Sequence, residues 1–196
     1  MRRAVFAFPE LKSGAVQTIA RTLDHAEPKI QSTRLAGVSI ILDGEESPKT
    51  LLIKRAEREG DPWSGQIAFP GGKMNQGDES VLRAAIRETR EEVGVDLAGD
   101  AAFLGYLGAF RTHTGTMDVV PAVFLLKKKA EITPNEEVSD YKWVGLGSLL
   151  ASGSRSTYRL EMGGSSMEMP AFATGDYVIW GLTFRIIETL LDRLRA

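Results

Sequence analysis

Three glutamates at helical spacing are the residues of this sequence best suited to chemistry. Glu88, Glu91 and Glu92 stand at positions i, i+3 and i+4, so on a helix they fall within an arc of about 100°. Carboxylates this close repel one another unless a positive charge lies between them, and such hard oxygen ligands suit Mg²⁺ or Mn²⁺. A solvated surface helix more commonly explains the same spacing, so the acids need a structural setting before they indicate a site.

The segment before these glutamates supplies that setting. A brief predicted strand, Ile67 to Phe69, runs into Pro70-Gly71-Gly72 and an irregular stretch. The following helix should begin near Asp78 or Glu79, with Asp78 as its N-cap, and should end at Gly94. The acids therefore lie on a helix that follows a strand and a glycine-containing loop.

Together these residues resemble the Nudix box. Its usual form is Gly, five residues, Glu, seven residues, then Arg-Glu-apolar-any-Glu-Glu-any-Gly-apolar. The block from Gly72 to Val95 matches the second half closely, but Thr89 occupies a usually apolar position. The spacing from Gly72 to Arg87 is also one residue longer than usual. Counting forward from Gly72 makes Asp78 the first acid, whereas counting back from Arg87 makes it Glu79.

The resemblance implies a metal-dependent pyrophosphohydrolase. Carried over by position, Glu91 and Glu92 are metal ligands, and Glu88 is either a third ligand or the base for the attacking water. A backbone carbonyl of Gly71 or Gly72 is expected to complete the site, because glycine permits close approach. Arg87 is expected to anchor the loop by pairing with Asp78 or Glu79 rather than to touch substrate.

Candidates outside the box are weaker. Either Glu136 or Glu137 is a further base or ligand, or both are exposed loop acids. His113, in a Thr- and Gly-rich loop, is suited to phosphate contact or proton transfer near neutral pH, although a lone loop histidine is more often incidental. Arg55 and Gln66 are candidates for phosphate or adenosine contacts, against ordinary roles in ordering a loop.

Within the Nudix family, the chain is similar to the coenzyme A pyrophosphatase group. The likeness rests on the segments 51–56, 65–72 and 179–183, and it departs at Ile53 and at Trp63, where Thr and His are expected. It implies cleavage of coenzyme A or acyl-coenzyme A to 3',5'-ADP and 4'-phosphopantetheine. The alternatives are hydrolysis of ADP-ribose or another nucleoside diphosphate or triphosphate compound, and a non-catalytic nucleotide sensor.

The remaining pattern predicts the elements that position these residues. A helix is expected from Leu11 to His25, within an N-terminal extension over residues 1–30, and a C-terminal helix over residues 178–195. Between them, short β-branched runs predict a hairpin from 36–42 and 50–53 and strands near 103–107, 119–127 and 140–144. The resemblance implies that they form a Nudix-type α/β/α sandwich around a mixed β-sheet.

Composition limits the classes of function. The 196 residues are predicted to form a single domain, 1–196, and their net charge of -2 gives no support for nucleic-acid binding. Cysteine is absent, which excludes thiolate sites and is compatible with a cytoplasmic location. No apolar run is long enough for a membrane helix. The expected partner is a small nucleotide, and the sequence leaves a homodimer open.

Overall fold

Most of the predicted strands belong to one mixed sheet. The computed structural model describes residues 14–30, 32, 34–60, 63–162 and 165–195, and within these residues the sheet has eight strands. They are β1 (Leu35–Asp43), β2 (Lys49–Arg55), β3 (Ile67–Ala68), β4 (Gly71–Lys73), β5 (Ala101–Tyr106), β6 (Phe110–Arg111), β7 (Asp118–Leu126) and β8 (Val138–Gly145). Strands β1 and β7 pair in parallel, and the other pairs are antiparallel.

Strand β1 pairs with two different strands along its length, and one of them, β4, contains Gly71 and Gly72. Its end pairs with β2 through Leu42 and Thr50, whereas its beginning pairs with β4, with Gly37 opposite Gly72. On its other side β1 pairs with β7, in which every residue is buried. A strand covered on both faces is expected to be apolar throughout.

Helices cover both faces of this sheet. They are α1 (Ala15–Ala20), α2 (Val81–Val93), α3 (Leu97–Asp100), α4 (Leu146–Leu150) and α5 (Gly181–Arg195). One core cluster joins α2 and α3 to the sheet, and the other joins α1, α4 and α5 to the opposite face. The expected α/β/α arrangement is therefore confirmed. Among the described residues, no helix is long and apolar enough to cross a membrane.

A second sheet, which the sequence analysis did not anticipate, lies beside α5. It contains β9 (Arg155–Met162), β10 (Ser165–Thr174) and β11 (Tyr177–Trp180), paired antiparallel in that order. Phe172 of β10 and Ile179 of β11 are fully buried in the α5 core. The additional sheet thus extends the hydrophobic core instead of forming a separate one.

Three predicted helix boundaries were wrong. The first helix ends at Ala20 and not at His25, and its predicted residues 11–13 lie outside the described part of the chain. The C-terminal helix begins at Gly181, because the residues before it, Tyr177–Trp180, form β11 and pair with β10. Helix α2 begins at Val81, and its N-cap is Ser80 rather than Asp78.

Candidate active site

Helix α2 is fixed at both ends by local chemistry. The Ser80 hydroxyl accepts a hydrogen bond from the Arg83 N–H at 3.2 Å, which satisfies one of the free donors of the first turn. At the other end Gly94 adopts a left-handed conformation with φ of 74°, as predicted, and its N–H donates to the Arg90 carbonyl. The position of the three glutamates along the helix is thereby set.

Close packing holds α2 directly on β1. A Cβ on Gly37 would lie 2.1 Å from the Val81 carbonyl oxygen, so only glycine allows this approach. Thr89, the departure from the usual apolar position, is fully buried and hydrogen-bonds to the Ser39 hydroxyl at 2.8 Å. Ser39 in turn donates to the Ala85 carbonyl. A paired polar contact thus replaces the expected apolar one.

The three glutamates differ sharply in exposure although they share one face. The Glu91 side chain is 55% exposed and that of Glu88 is 18% exposed, whereas Glu92 is only 2% exposed. Glu92 therefore points inward, Glu88 lies at the edge and Glu91 faces solvent. Exposure thus decreases across this face from Glu91 to Glu88 to Glu92, so the face is not a uniformly solvated helix surface.

Glu92 is the most perturbed carboxyl of the site. Burial raises its pKa to about 7, and the Gly71 N–H, which donates to its Oε2 at 2.8 Å, opposes that shift. The charges of Glu88 and Glu137 also raise its pKa, while the charge of Arg55 lowers it. Arg55 and Glu137 are therefore two of the charged groups whose fields act on the buried carboxyl.

The glycine pair brings the loop against these acids. A Cβ on Gly71, whose φ is 143°, would lie 2.3 Å from the Gly37 carbonyl oxygen. A Cβ on Gly72 would lie 2.6 Å from the Glu88 carboxyl carbon. Any larger residue would push β4 from β1 or displace the Glu88 carboxyl. Gly71 and Gly72 are therefore part of the site through their backbone.

Arg87 joins the loop to two of the glutamates. Its Nε and Nη2 donate to the two oxygens of Asp78 at 3.1 and 2.8 Å, and its Nη1 donates to Glu88 at 2.8 Å and to Glu91 at 3.1 Å. The hydrogen bond from Arg87 lowers the pKa of Asp78. Glu79 is exposed. Of the two predicted anchors, Asp78 is thus the one that Arg87 contacts.

A segment after β7 brings a further acid toward Glu92. The Asn135 N–H donates to the Glu92 carbonyl at 2.9 Å, and the Asn135 side chain accepts from the Glu137 N–H at 2.8 Å. Glu137 pairs with Arg58 at 3.0 Å, while Glu136 is 91% exposed and lies 4.0 Å from Arg58. The geometry favours Glu137 over Glu136 as the additional acid. The sequence analysis missed Asn135 and Arg58, because neither lies in a recognisable motif.

The other predicted candidates are Arg55, Gln66 and His113. The Arg55 N–H donates to the Gln66 carbonyl at 3.0 Å, so Gln66 adjoins the strand that carries Arg55. Gln66 also lines a pocket of about 400 Å³ with Lys54 and Trp180. His113 lies on an exposed turn between β6 and β7, and among the described residues no hydrogen bond or ion pair joins it to the glutamates.

The carboxylate oxygens of Glu88, Glu91 and Glu92 are ligands that suit a hard divalent cation, although the three side chains do not converge on one point. In the described part of the chain no three Asp, Glu, His or Cys side chains converge closely enough to hold a metal. Arg87 engages Glu88 and Glu91 instead. The buried Glu92 carboxylate accepts the Gly71 N–H, and a cation beside it would offset the cost of burying its charge.

Comparison with known proteins agrees with this geometry. Residues 33–160 match the family described as NUDIX domain. The chain is 37% identical over 149 residues to the peroxisomal coenzyme A diphosphatase ndx-8 of Caenorhabditis elegans. The matched region is 73% of this chain and 63% of that protein. It is 30% identical to the mitochondrial coenzyme A diphosphatase NUDT8 of Mus musculus, over 75% of this chain and 71% of that protein.

Solved structures share the fold. A MutT/nudix family protein from Enterococcus faecalis has a TM-score of 0.59 at 21% identity, over 87% of this chain and 65% of that chain. The NUDIX domain of Shewanella oneidensis NrtR, complexed with ADP ribose, has a TM-score of 0.54 at 19% identity, over 85% of this chain and 90% of that chain. With the family match extending over residues 33–160, the chain belongs to the Nudix family.

Proposed function

We propose that the protein hydrolyses the diphosphate bond of a nucleoside diphosphate derivative. The observation that carries the proposal is that the Gly71-Gly72 loop packs against Glu88 and hydrogen-bonds to the buried Glu92 on α2. The leading substrate is coenzyme A or an acyl-coenzyme A, cleaved to 3',5'-ADP and 4'-phosphopantetheine. Two relatives named coenzyme A diphosphatase support this choice.

The proposed metal is Mg²⁺ or Mn²⁺, held by Glu88, Glu91, Glu92 and a backbone carbonyl of Gly71. When bound, such a cation neutralises phosphate oxygens and lowers the pKa of water. For Glu88 and Glu91 to contribute, their carboxylates must turn away from Arg87, which stays anchored by its two hydrogen bonds to Asp78. Asp78 therefore holds the guanidinium in place while the glutamates exchange partners.

Proton transfer and substrate orientation fall to neighbouring side chains. The proposed base for the attacking water is Glu88, Glu91 or Glu137, since each carboxylate lies on or beside the face that Glu92 occupies. Arg55, whose charge lowers the pKa of Glu92, is proposed to hold a phosphate oxygen. Gln66 and the Gly72 backbone are proposed to contact substrate, as is His113.

The decisive experiment compares Glu91→Gln and Glu92→Gln with Glu79→Gln, a control that changes an exposed acid outside the Arg87 network. With Mg²⁺ or Mn²⁺, we expect both site variants to fold and to lose at least about a hundredfold in turnover, the scale of a disrupted metal site. Circular dichroism checks the fold, and product analysis by chromatography measures hydrolysis. Normal turnover in both site variants would refute the proposed roles.

A substrate panel tests the finer proposal. It contains coenzyme A, acetyl-coenzyme A, ADP-ribose, NADH, diadenosine polyphosphates and nucleoside triphosphates. Preferred cleavage of coenzyme A to 3',5'-ADP is the expected result, and preferred cleavage of ADP-ribose would replace it. Tight binding of one compound without turnover of any would favour the nucleotide sensor. Cytoplasmic location, a single domain and a homodimer stay predictions.

A further inference from the structure

The acid Glu137 is carried by a segment that is fixed to the end of α2. The Thr133 N–H donates to the Val93 carbonyl at 2.9 Å. The Asn135 N–H donates to the Glu92 carbonyl, also at 2.9 Å. These bonds satisfy two of the carbonyls that the last turn of a helix leaves without an intrahelical partner. The Asn135 side chain then accepts the Glu137 N–H at 2.8 Å, so the Glu137 backbone is held at a set place relative to α2.

The chain at the end of β2 holds the other side of Glu137. The Ala56 N–H donates to the Glu137 carbonyl at 2.8 Å. Just before this contact, the register between β2 and β8 shifts between Lys54 and Arg55. The Ser139 hydroxyl donates to the carbonyls of these two residues, at 3.2 and 3.4 Å. An irregularity of this kind changes the direction of the side chains beside it and is frequent next to active sites.

Arg58 holds the side chain of Glu137, which the backbone contacts leave free to turn. A glutamate side chain that is 43% exposed has several rotamers open to it. Arg58 Nη1 donates to Glu137 Oε1 at 3.0 Å. Arg58 Nη2 lies 4.0 Å from Glu136 Oε1, which is beyond hydrogen-bonding distance. Arg58 therefore engages one acid of the adjacent pair and favours one orientation of its carboxylate.

The backbone of Arg58 is fixed in its turn. Its N–H donates to the Ser64 hydroxyl oxygen at 2.7 Å, and the Ser64 hydroxyl donates to the Ala56 carbonyl at 3.5 Å. Ala56 thus contacts both Ser64 and Glu137, and the ion pair joins two backbone segments that already meet at this residue. A half-exposed ion pair contributes little to the free energy of unfolding. Its main effect is therefore on the orientation of the Glu137 carboxylate.

That orientation matters because the charge of Glu137 acts on the buried acid of the site. Burial is the main reason why the pKa of Glu92 is raised to about 7, and the negative charges of Glu88 and Glu137 contribute to the increase. A change in the direction of the Glu137 carboxylate would therefore change the field at Glu92.

We propose that Arg58 is a positioning residue for the hydrolysis, which holds the Glu137 carboxylate in its reactive orientation and does not itself bind substrate. This inference rests on the proposed function and extends it, because it gives the loop that follows β2 a role in the reaction. A group that is already oriented loses less conformational freedom on the way to the transition state. Removal of the Arg58 guanidinium therefore lowers kcat through Glu137 alone.

Double-mutant kinetics, with the compound of the panel that is cleaved fastest, separate positioning from substrate contact. Arg58→Ala should lower kcat about tenfold and Glu137→Gln about a hundredfold, with KM within about twofold of the unaltered protein. Adding Arg58→Ala to Glu137→Gln should change kcat by less than about twofold, because the group that Arg58 orients is already missing. Arg58→Lys should restore part of the lost kcat. Arg195→Ala, which breaks an exposed ion pair with Asp192, is the matched control and should change neither constant.

Two kinetic results would overturn the inference. One is a further loss of about tenfold in the double variant, or a rise in KM of that size in Arg58→Ala, because Arg58 would then contact the substrate itself. The other is a kcat within about twofold of the unaltered protein in either single variant, because the pair would then serve only the fold. Circular dichroism checks that every variant is folded.

A measurement without turnover distinguishes this inference from the proposed function. Nitrogen-15 NMR of the arginine side chains observes the Arg58 guanidinium, whose rotation is slowed by its hydrogen bond to Glu137. Slow rotation is expected in the unaltered protein and in Glu136→Gln, and it should be lost in Glu137→Gln. Equal rotation in these two variants would overturn the inference whatever the turnover. Absence of turnover in the unaltered protein, with an Arg58 signal that depends on Glu137, would refute only the proposed function.

Discussion

Adjacent acids can have unlike roles, and Asp78 and Glu79 illustrate this. Asp78 is 7% exposed and receives two hydrogen bonds from Arg87, and its Oδ2 also accepts the Asn75 N–H at 2.8 Å. Because the folded-state pKa of Asp78 is lowered, the ionised form stabilises the fold above the unfolded pKa of about 3.9. This contribution is lost as pH falls through the lowered folded-state pKa.

Asp78→Asn should therefore destabilise the protein by about 1.5 to 3 kcal/mol near pH 7, the range for hydrogen bonds to charged groups. The difference from the unaltered protein should shrink as the pH falls from about 4 through the lowered folded-state pKa of Asp78, below which the carboxyl is protonated in both folded and unfolded states. Urea unfolding at a series of pH values measures both effects. Glu79→Gln is the control, and an equal loss of stability in that variant would contradict the assignment of Asp78 as the anchor.

The sequence could identify the Arg87 partner only as one of two residues. Counting from Gly72 and counting from Arg87 disagree, since the segment between them is one residue longer than usual. The Asp78 carboxyl is positioned by the turn in which its oxygen accepts the Asn75 N–H, and spacing does not encode that turn. The depth of Glu92 was equally hidden, because helical periodicity gives an angle around the axis but not the height of the neighbouring loop.

At the scale of elements, the contact between α2 and β1 is the one that positions the glutamates. Gly37→Ala would place a Cβ 2.1 Å from the Val81 carbonyl oxygen, where backbone and not a flexible side chain must move. We expect a loss of about 1 to 3 kcal/mol in the free energy of unfolding, as for other overpacked cores. Gly77→Ala, where a Cβ would meet nothing within 4 Å, is the matched control. Similar denaturant midpoints for both variants would contradict this packing argument.

Element types were more predictable than their ends. Gly94 ended α2 as expected, since its left-handed conformation has a strong residue preference. The beginning was wrong because Asp78, a suitable N-cap by residue type, is engaged by Arg87, which leaves the cap to Ser80. Ile179 fits the apolar stripe of a helix, but it lies in β11, where it pairs with Phe172 of β10. A short apolar run does not distinguish a strand from the first turn of a helix.

For the whole molecule, the layered fold followed from the sequence, whereas the second sheet did not. Its only available signal was the alternation of Tyr158 and Leu160 with charged residues before Gly163-Gly164, a pattern typical of a hairpin. Most described side chains of β9 are exposed, so the hydrophobic contrast that marks the main sheet is weak there. Burial of Phe172 against Phe184 of α5, at 4.8 Å between ring centroids, depends on a contact between distant segments.

Because a metal that binds only the folded state stabilises the whole chain, cation binding should be visible in unfolding as well as in turnover. At a Mg²⁺ concentration of about one hundred times its dissociation constant, linkage predicts about 2.7 kcal/mol of added stability. For a chain of 196 residues this corresponds to an increase in Tm of roughly 5 to 10 °C. Calorimetry after EDTA treatment and addition of Mg²⁺ measures the shift. Glu92→Gln should abolish most of it, Glu79→Gln should retain it, and an equal shift in all three proteins would place the bound cation elsewhere.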